Sequence, residues 1–230
     1  MVRSVLALAA VAGVASSAQA AFISFGSDSN PAQPTFVATY DASSQTTNLT
    51  NSPGSTVDLL IDVDEGGAGG PITVNASFTA DIAMTYAGSV MIFPGFFSHT
   101  FSVTGSFEFR DANTGGLLFN GAIGDGEGAF AGLGSSSAIS SGSMSGFGID
   151  YTIGADGMAI VGFGGTVLGD FGFTLTALSG GSAALVYDGN NIVGVRDFSS
   201  EGSYSGSFIP APGATALIGL AGLAGLRRRR

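Results

Sequence analysis

The chain has 230 residues, room for one domain or two small ones, with 38 Gly, no Cys, one His and only 10% charged residues. An apolar content of 45% excludes an acidic disordered tail, and the missing Cys excludes a disulfide scaffold, a thiolate metal centre and a Cys nucleophile. All seven basic residues are Arg, and between positions 21 and 209 only Arg110 and Arg196 stand against 17 acids. That body carries −15, which repels the phosphate backbone of nucleic acids and anionic membrane surfaces alike.

Residues 1–20 read as a secretory signal peptide. Arg3 supplies the positive start, Val5 to Ala15 the short apolar stretch, and Ala18-Gln19-Ala20 the small-residue cleavage site. Export of a chain without Cys suits a bacterial exterior, where disulfides are optional.

From residue 21 to 208 the dominant period is two, which predicts a single all-β domain. Val57, Leu59, Ile61 and Val63 share one face of a first run; Ile72, Val74, Ala76, Phe78, Ala80, Ile82 and Met84 share one face of a second. Phe97, His99, Phe101, Val103, Gly105, Phe107 and Phe109 make a third, and Phe147, Ile149, Tyr151 and Ile153 a fourth. Phe171-Phe173-Leu175 and Tyr204-Gly206-Phe208 follow the same rule. Turn residues punctuate the runs: 66–71, Asn113-Thr114-Gly115-Gly116, 124–128, Asp156-Gly157 and Asp188-Gly189, the last two as hairpin tips. The Gly/Ser-rich stretch 131–148 reads as a loose loop or weakly specified edge strand. About ten to twelve such strands, each with one apolar face, predict an antiparallel β-sandwich of jelly-roll type with a Phe-rich core. An outer-membrane barrel, the other use of alternating strands, wants girdles of Tyr and Trp, and five Tyr with no Trp are thin for that.

Few residues carry chemistry. Asp58, Asp62, Asp64 and Glu65 precede a Gly-rich turn and are the candidate calcium ligands, since closely spaced carboxylates can wrap a hard cation. A solvated strand edge whose charges block association explains them better, in view of the six or more oxygens calcium takes. Asp125 and Glu127 form a weaker second pair. His99, in phase with the Phe-rich face, reads as a core or rim residue with a satisfied hydrogen bond. No nucleophile elbow, phosphate loop or second His frames an active site, so no catalytic residue is assigned and calcium is the one cofactor the residues suggest. Tyr40, Tyr86, Tyr151 and Tyr204 are candidate stacking surfaces for a sugar.

The chain closes on Pro210-Ala211-Pro212-Gly213, the apolar run 214–226 and the cluster Arg227, Arg228, Arg229 and Arg230. As a helix the 13 apolar residues reach about 20 Å, short of a roughly 30 Å hydrocarbon core. The arginines would stay cytoplasmic, leaving the body outside. This three-part tail, over about 22 residues, resembles the PEP-CTERM sorting signal, with Ala211 where that family has Glu. The resemblance implies recognition by an exosortase, a membrane-embedded transpeptidase, with a cut near the Pro motif, and exopolysaccharide as the neighbour outside.

The sequence thus predicts a secreted, surface-sorted structural or adhesive protein of a bacterial envelope or extracellular matrix. It touches the membrane only through its tail. A carbohydrate-binding module is the alternative, followed by a polysaccharide hydrolase working through paired carboxylates.

Overall fold

The structure is a computed structural model that describes residues 20–26, 34–63, 69–133, 139–179 and 184–208. The signal segment up to Ala18, the sorting motif Pro210 to Gly213 and the terminal arginines lie outside the described residues, and Ala20 directly precedes the first strand. The described residues form twelve strands and one short helix: β1 (Ala21–Gly26), β2 (Phe36–Asp41), β3 (Thr46–Asn51), β4 (Thr56–Asp62), β5 (Ile72–Phe93), β6 (Phe96–Asp111), β7 (Leu117–Leu133), β8 (Ile139–Ile153), α1 (Ala155–Val161), β9 (Gly165–Ser179), β10 (Leu185–Asp188), β11 (Asn191–Val195) and β12 (Phe198–Phe208).

All pairings are antiparallel, as the alternating runs predict, and ten of the twelve strands join in one sheet. Six long strands follow one another as β12-β9-β8-β7-β6-β5. The free edge of β5 takes β4 over Ile72–Ser77 and then β3 over Asp81–Thr85. The free edge of β12 takes β2 over Phe198–Ser200 and β1 over Ser203–Phe208. β4 pairs with β1, and β3 with β2, so the ladder returns to its start and the sheet closes into a barrel. Closure joins ten strands in one continuous sheet where a two-sheet sandwich was expected. It removes the edges that an open sheet would leave to solvent.

Polarity alternates across this wall. Phe78, Ile82 and Met84 of β5 and Phe101, Phe107 and Phe109 of β6 are buried, and the residues between them point outward. The apolar side therefore faces inward, and the outside is mostly Ser, Thr, Gly and Asp, the reverse of a lipid-facing barrel. No helix among the described residues is long and apolar enough to cross a membrane. Phe107 is central to the core: its ring meets those of Phe109, Tyr151, Phe171, Phe173 and Tyr204 with centroids 5.3–6.0 Å apart. Such edge-to-face and tilted pairs add about 0.5–1.5 kcal/mol each beyond the burial itself.

The glycines fit these rings. Gly121 is paired across the strands with Phe107, Gly142 with Phe130 and Gly146 with Phe171. A Cβ on Gly142 would lie 2.5 Å from Phe130 Cε1, one on Gly146 would lie 2.6 Å from Phe171 Cε1, and one on Gly121 would collide with the Phe107 ring. Inward glycines therefore leave the space into which each neighbouring ring folds, an arrangement known to stabilise strand glycines. Of the stretch 131–148, read as a loose loop or edge strand, residues 139–148 belong to β8, which is paired on both sides and holds Gly142 and Gly146 under aromatic rings, while 134–138 lie outside the described residues.

Two other expected turns are not turns. Residues 124–128 lie within β7 and only shift its register against β6. Asp156-Gly157 belongs to α1, where Gly157 packs so close to the Leu118 carbonyl that a Cβ would strike it. Asp188-Gly189 does form the β10–β11 turn, with Gly189 at φ 61°.

Because neighbours run in opposite directions, β1 starts and β12 ends at one mouth of the barrel, where Ala21 pairs with Phe208. The β5–β6 hairpin rises at the other.

Candidate functional site: a groove on the outer wall

The sequence reading places Phe147 in the core with Ile149 and Tyr151. The structure puts it outside, 84% exposed. The cause is local: Gly148 adopts φ +68°, and the register of β8 against β9 shifts between Phe147 and Ile149. This bulge inserts one residue, so that Ile149, Tyr151 and Ile153 stay inside and Phe147 turns out. A positive φ is cheap for Gly and costly for any residue with a Cβ, which is why the bulge falls there.

Phe147 ends a row that runs straight across four strands. Phe22 of β1 pairs with Ser207 of β12, Ser207 with Asp170 of β9, and Asp170 with Phe147 of β8. At the usual strand spacing the two phenylalanines stand about 14 Å apart. Along this row two adjoining hollows of about 300 and 350 Å³ open on the wall, sharing Phe147, Asp170 and Ser207, and the second reaches from Phe147 to Phe22. Gly172 and Ser205 line the second, while Leu168, exposed beside Phe147, extends the apolar end of the first. Asp170 is fixed in place, since its Oδ1 accepts a hydrogen bond from the Ser207 N–H at 2.7 Å. Behind the wall, the Tyr151 hydroxyl donates to the Asp170 carbonyl at 2.6 Å and lies 2.6 Å from the Tyr204 hydroxyl. Burial raises the pKa of both tyrosines well above the ordinary phenol range. They remain neutral structural pins under the groove.

The arrangement is an apolar ring at each end of a polar floor that holds a fixed carboxylate. Aromatic faces match the C–H faces of a sugar ring, and a carboxylate and serine hydroxyls match its hydroxyls. The groove lining carries a single carboxylate, Asp170, rather than the flanking pair of a glycosidase.

The residues singled out from sequence fall elsewhere. Asp58 and Asp62 both face outward from β4, as their spacing predicts, with Asp58 exposed. Asp64 and Glu65 lie outside the described residues. Among the described residues no three His, Cys, Asp or Glu side chains gather to hold a metal. Asp125 and Glu127 are exposed on β7. Tyr151 and Tyr204 are buried in the core, so they cannot stack on a sugar, and their inward phase follows from the same alternation that defines the strands. His99 is buried on the inner face, and its Nδ1 lies 2.6 Å from Ser89 Oγ, which in turn lies 2.6 Å from the Tyr86 hydroxyl. Burial pushes its pKa below the ordinary 6.5.

Sequence reasoning missed the whole groove row. The one legible signal was the isolated Gly148 inside a strand pattern, which marks a bulge.

A closed antiparallel barrel with an apolar interior and an aromatic groove on a polar wall is the class that fold and site define. Comparison of the chain with protein-family models, with curated proteins and with solved structures found no match.

Proposed function

We propose that this chain is an exported adhesive protein of the bacterial surface or extracellular matrix whose outer-wall groove holds polysaccharide. The observation that carries the reading is the in-register row Phe22–Ser207–Asp170–Phe147, with Phe147 turned outward by a bulge at Gly148. Phe147 and Leu168, exposed side by side, with Phe22 across the row, offer an apolar patch on a wall of Ser and Thr that suits contact with a ligand. The body's charge of −15 favours neutral polymers over anionic ones. The leader at 1–20 and the tail resembling a PEP-CTERM signal supply the export and sorting that such a role requires, with an exosortase-like enzyme as the processing partner. In this reading the tail is the only membrane contact, and Pro210 to Gly213 mark the processing region.

The binding test is electrophoresis of the purified protein through gels containing a panel of neutral and acidic polysaccharides. Retardation by a neutral polymer, lost in Phe147→Ala and Asp170→Asn, is expected. Free migration of the intact protein through every polymer would overturn the adhesive reading. The sorting test is intact mass of the protein from its native cells. Loss of both ends, near Ala20 and near Pro210–Gly213, is expected, and a retained 214–230 tail would reduce the tail to a plain anchor.

A further inference from the structure

The upper hairpin carries a second surface of a different kind. Val90, Met91, Ile92 and Phe93 at the end of β5 are each more than half exposed, and the Phe93 and Phe96 rings stack with centroids 4.7 Å apart. β5 is paired with β6 along this whole stretch. Its other edge is covered by β3 only as far as Thr85, and beyond that no strand among the described residues pairs with it. On its side away from β6, the stretch 89–93 thus presents, at alternate residues, backbone N–H and C=O groups with no strand partner among the described residues, beside the apolar side chains of Val90 to Phe93. Closing the barrel covers β5 with β4 and β3 and leaves this end of its edge without a strand among the described residues.

We infer that this edge is the contact with a second copy of the chain, formed by antiparallel pairing of residues 89–93 with the same residues of the other copy. Three observations choose the occupant. Unpaired backbone groups are costly in lipid, so a membrane satisfies the side chains but not the edge, whereas a strand satisfies both. The segment is self-complementary: with Met91 opposite itself, Val90 stands opposite the partner's Ile92, so apolar residues meet on each face. Finally, from Ile82 to Phe107 the sequence has no charged residue, although the body carries −15. Two such acidic bodies approach with least repulsion at this uncharged finger. A single five-residue edge is below the roughly 1,200 Å² of ordinary specific interfaces, which points to a weak, reversible dimer.

The absence of Cys from the chain makes the test direct. Sedimentation velocity of the purified protein from about 1 to about 200 µM is expected to show a monomer–dimer equilibrium. Val90→Lys should hold it monomeric throughout with an unchanged melting temperature, since an edge lysine blocks pairing. Met91→Cys should form a disulfide-linked dimer on mild oxidation, because residues facing each other across an antiparallel pair lie within bridging distance. Ser203→Cys, on the outer wall, should not. A monomer at every concentration, a dimer that survives Val90→Lys, or equal crosslinking at position 203 would each overturn the inference. Flotation of the monomer with neutral phosphatidylcholine vesicles would assign the finger to lipid instead.

Discussion

Phe171 and Phe147 stand on adjacent strands, one residue out of register, yet the first is 3% exposed and the second 84%. Phe171 folds over Gly146 and joins the ring cluster around Phe107; Phe147 covers nothing and looks outward beside Asp170. The same residue type serves stability on one side of the wall and, in the proposed function, recognition on the other, and one positive-φ glycine turns the ring outward. The two sides should therefore separate cleanly under mutation: inner changes should move the melting temperature, and outer ones should move binding alone.

The largest effect belongs to the inside. Phe107→Ala removes the ring that touches five other aromatic residues and should cost about 3–5 kcal/mol in urea unfolding, since the surrounding barrel cannot collapse onto the cavity. A loss below about 1 kcal/mol would mean that the core is not packed around it. Gly146→Val attacks the same packing from the opposite side. Its side chain would meet Phe171, and a cost of about 1–3 kcal/mol is expected, read as a lowered urea midpoint.

The bulge ties the two sides together. Gly148→Val forces a β-branched residue to φ +68°, costing about 1–2 kcal/mol, and it should weaken polysaccharide retardation because Phe147 depends on that bulge. Full binding with a normal melting temperature would show that the bulge does not position the ring.

How much of this was legible in the sequence follows from which interactions are local. The alternation of Ile72 to Met84 and Phe97 to Phe109 is a property of consecutive residues, so the strands, their inner faces and the burial of His99 could be read directly. Closure could not. It depends on β5 and β12 being long enough for two short strands to share each free edge, which is a matter of register between segments far apart in the chain. The glycines misled for the same reason. Gly142 and Gly146 signal looseness when read alone and become packing positions only once Phe130 and Phe171 are opposite them. The groove row was invisible because its four residues come from four strands, and because one of them had the phase of the core.

The smallest expected effect is a pH dependence. The His99 pKa is lowered in the folded state by burial, so protonation favours the unfolded chain. Its contribution to stability is full above about pH 6.5 and is lost as the pH falls below that value. Thermal melts between pH 7.5 and 5 should show a modest decline that His99→Gln reduces, and an identical decline in the variant would place the titrating group elsewhere.

The most direct measurement of the central claim is the dissociation constant of the intact protein and of Phe147→Ala for the neutral polysaccharide that retards it, taken with both melting temperatures. The account predicts affinity weakened about tenfold or more while stability changes by less than about 0.5 kcal/mol, as for an ordinary surface substitution. Equal affinities in the two proteins would contradict it, and the outward ring would then have no part in recognition.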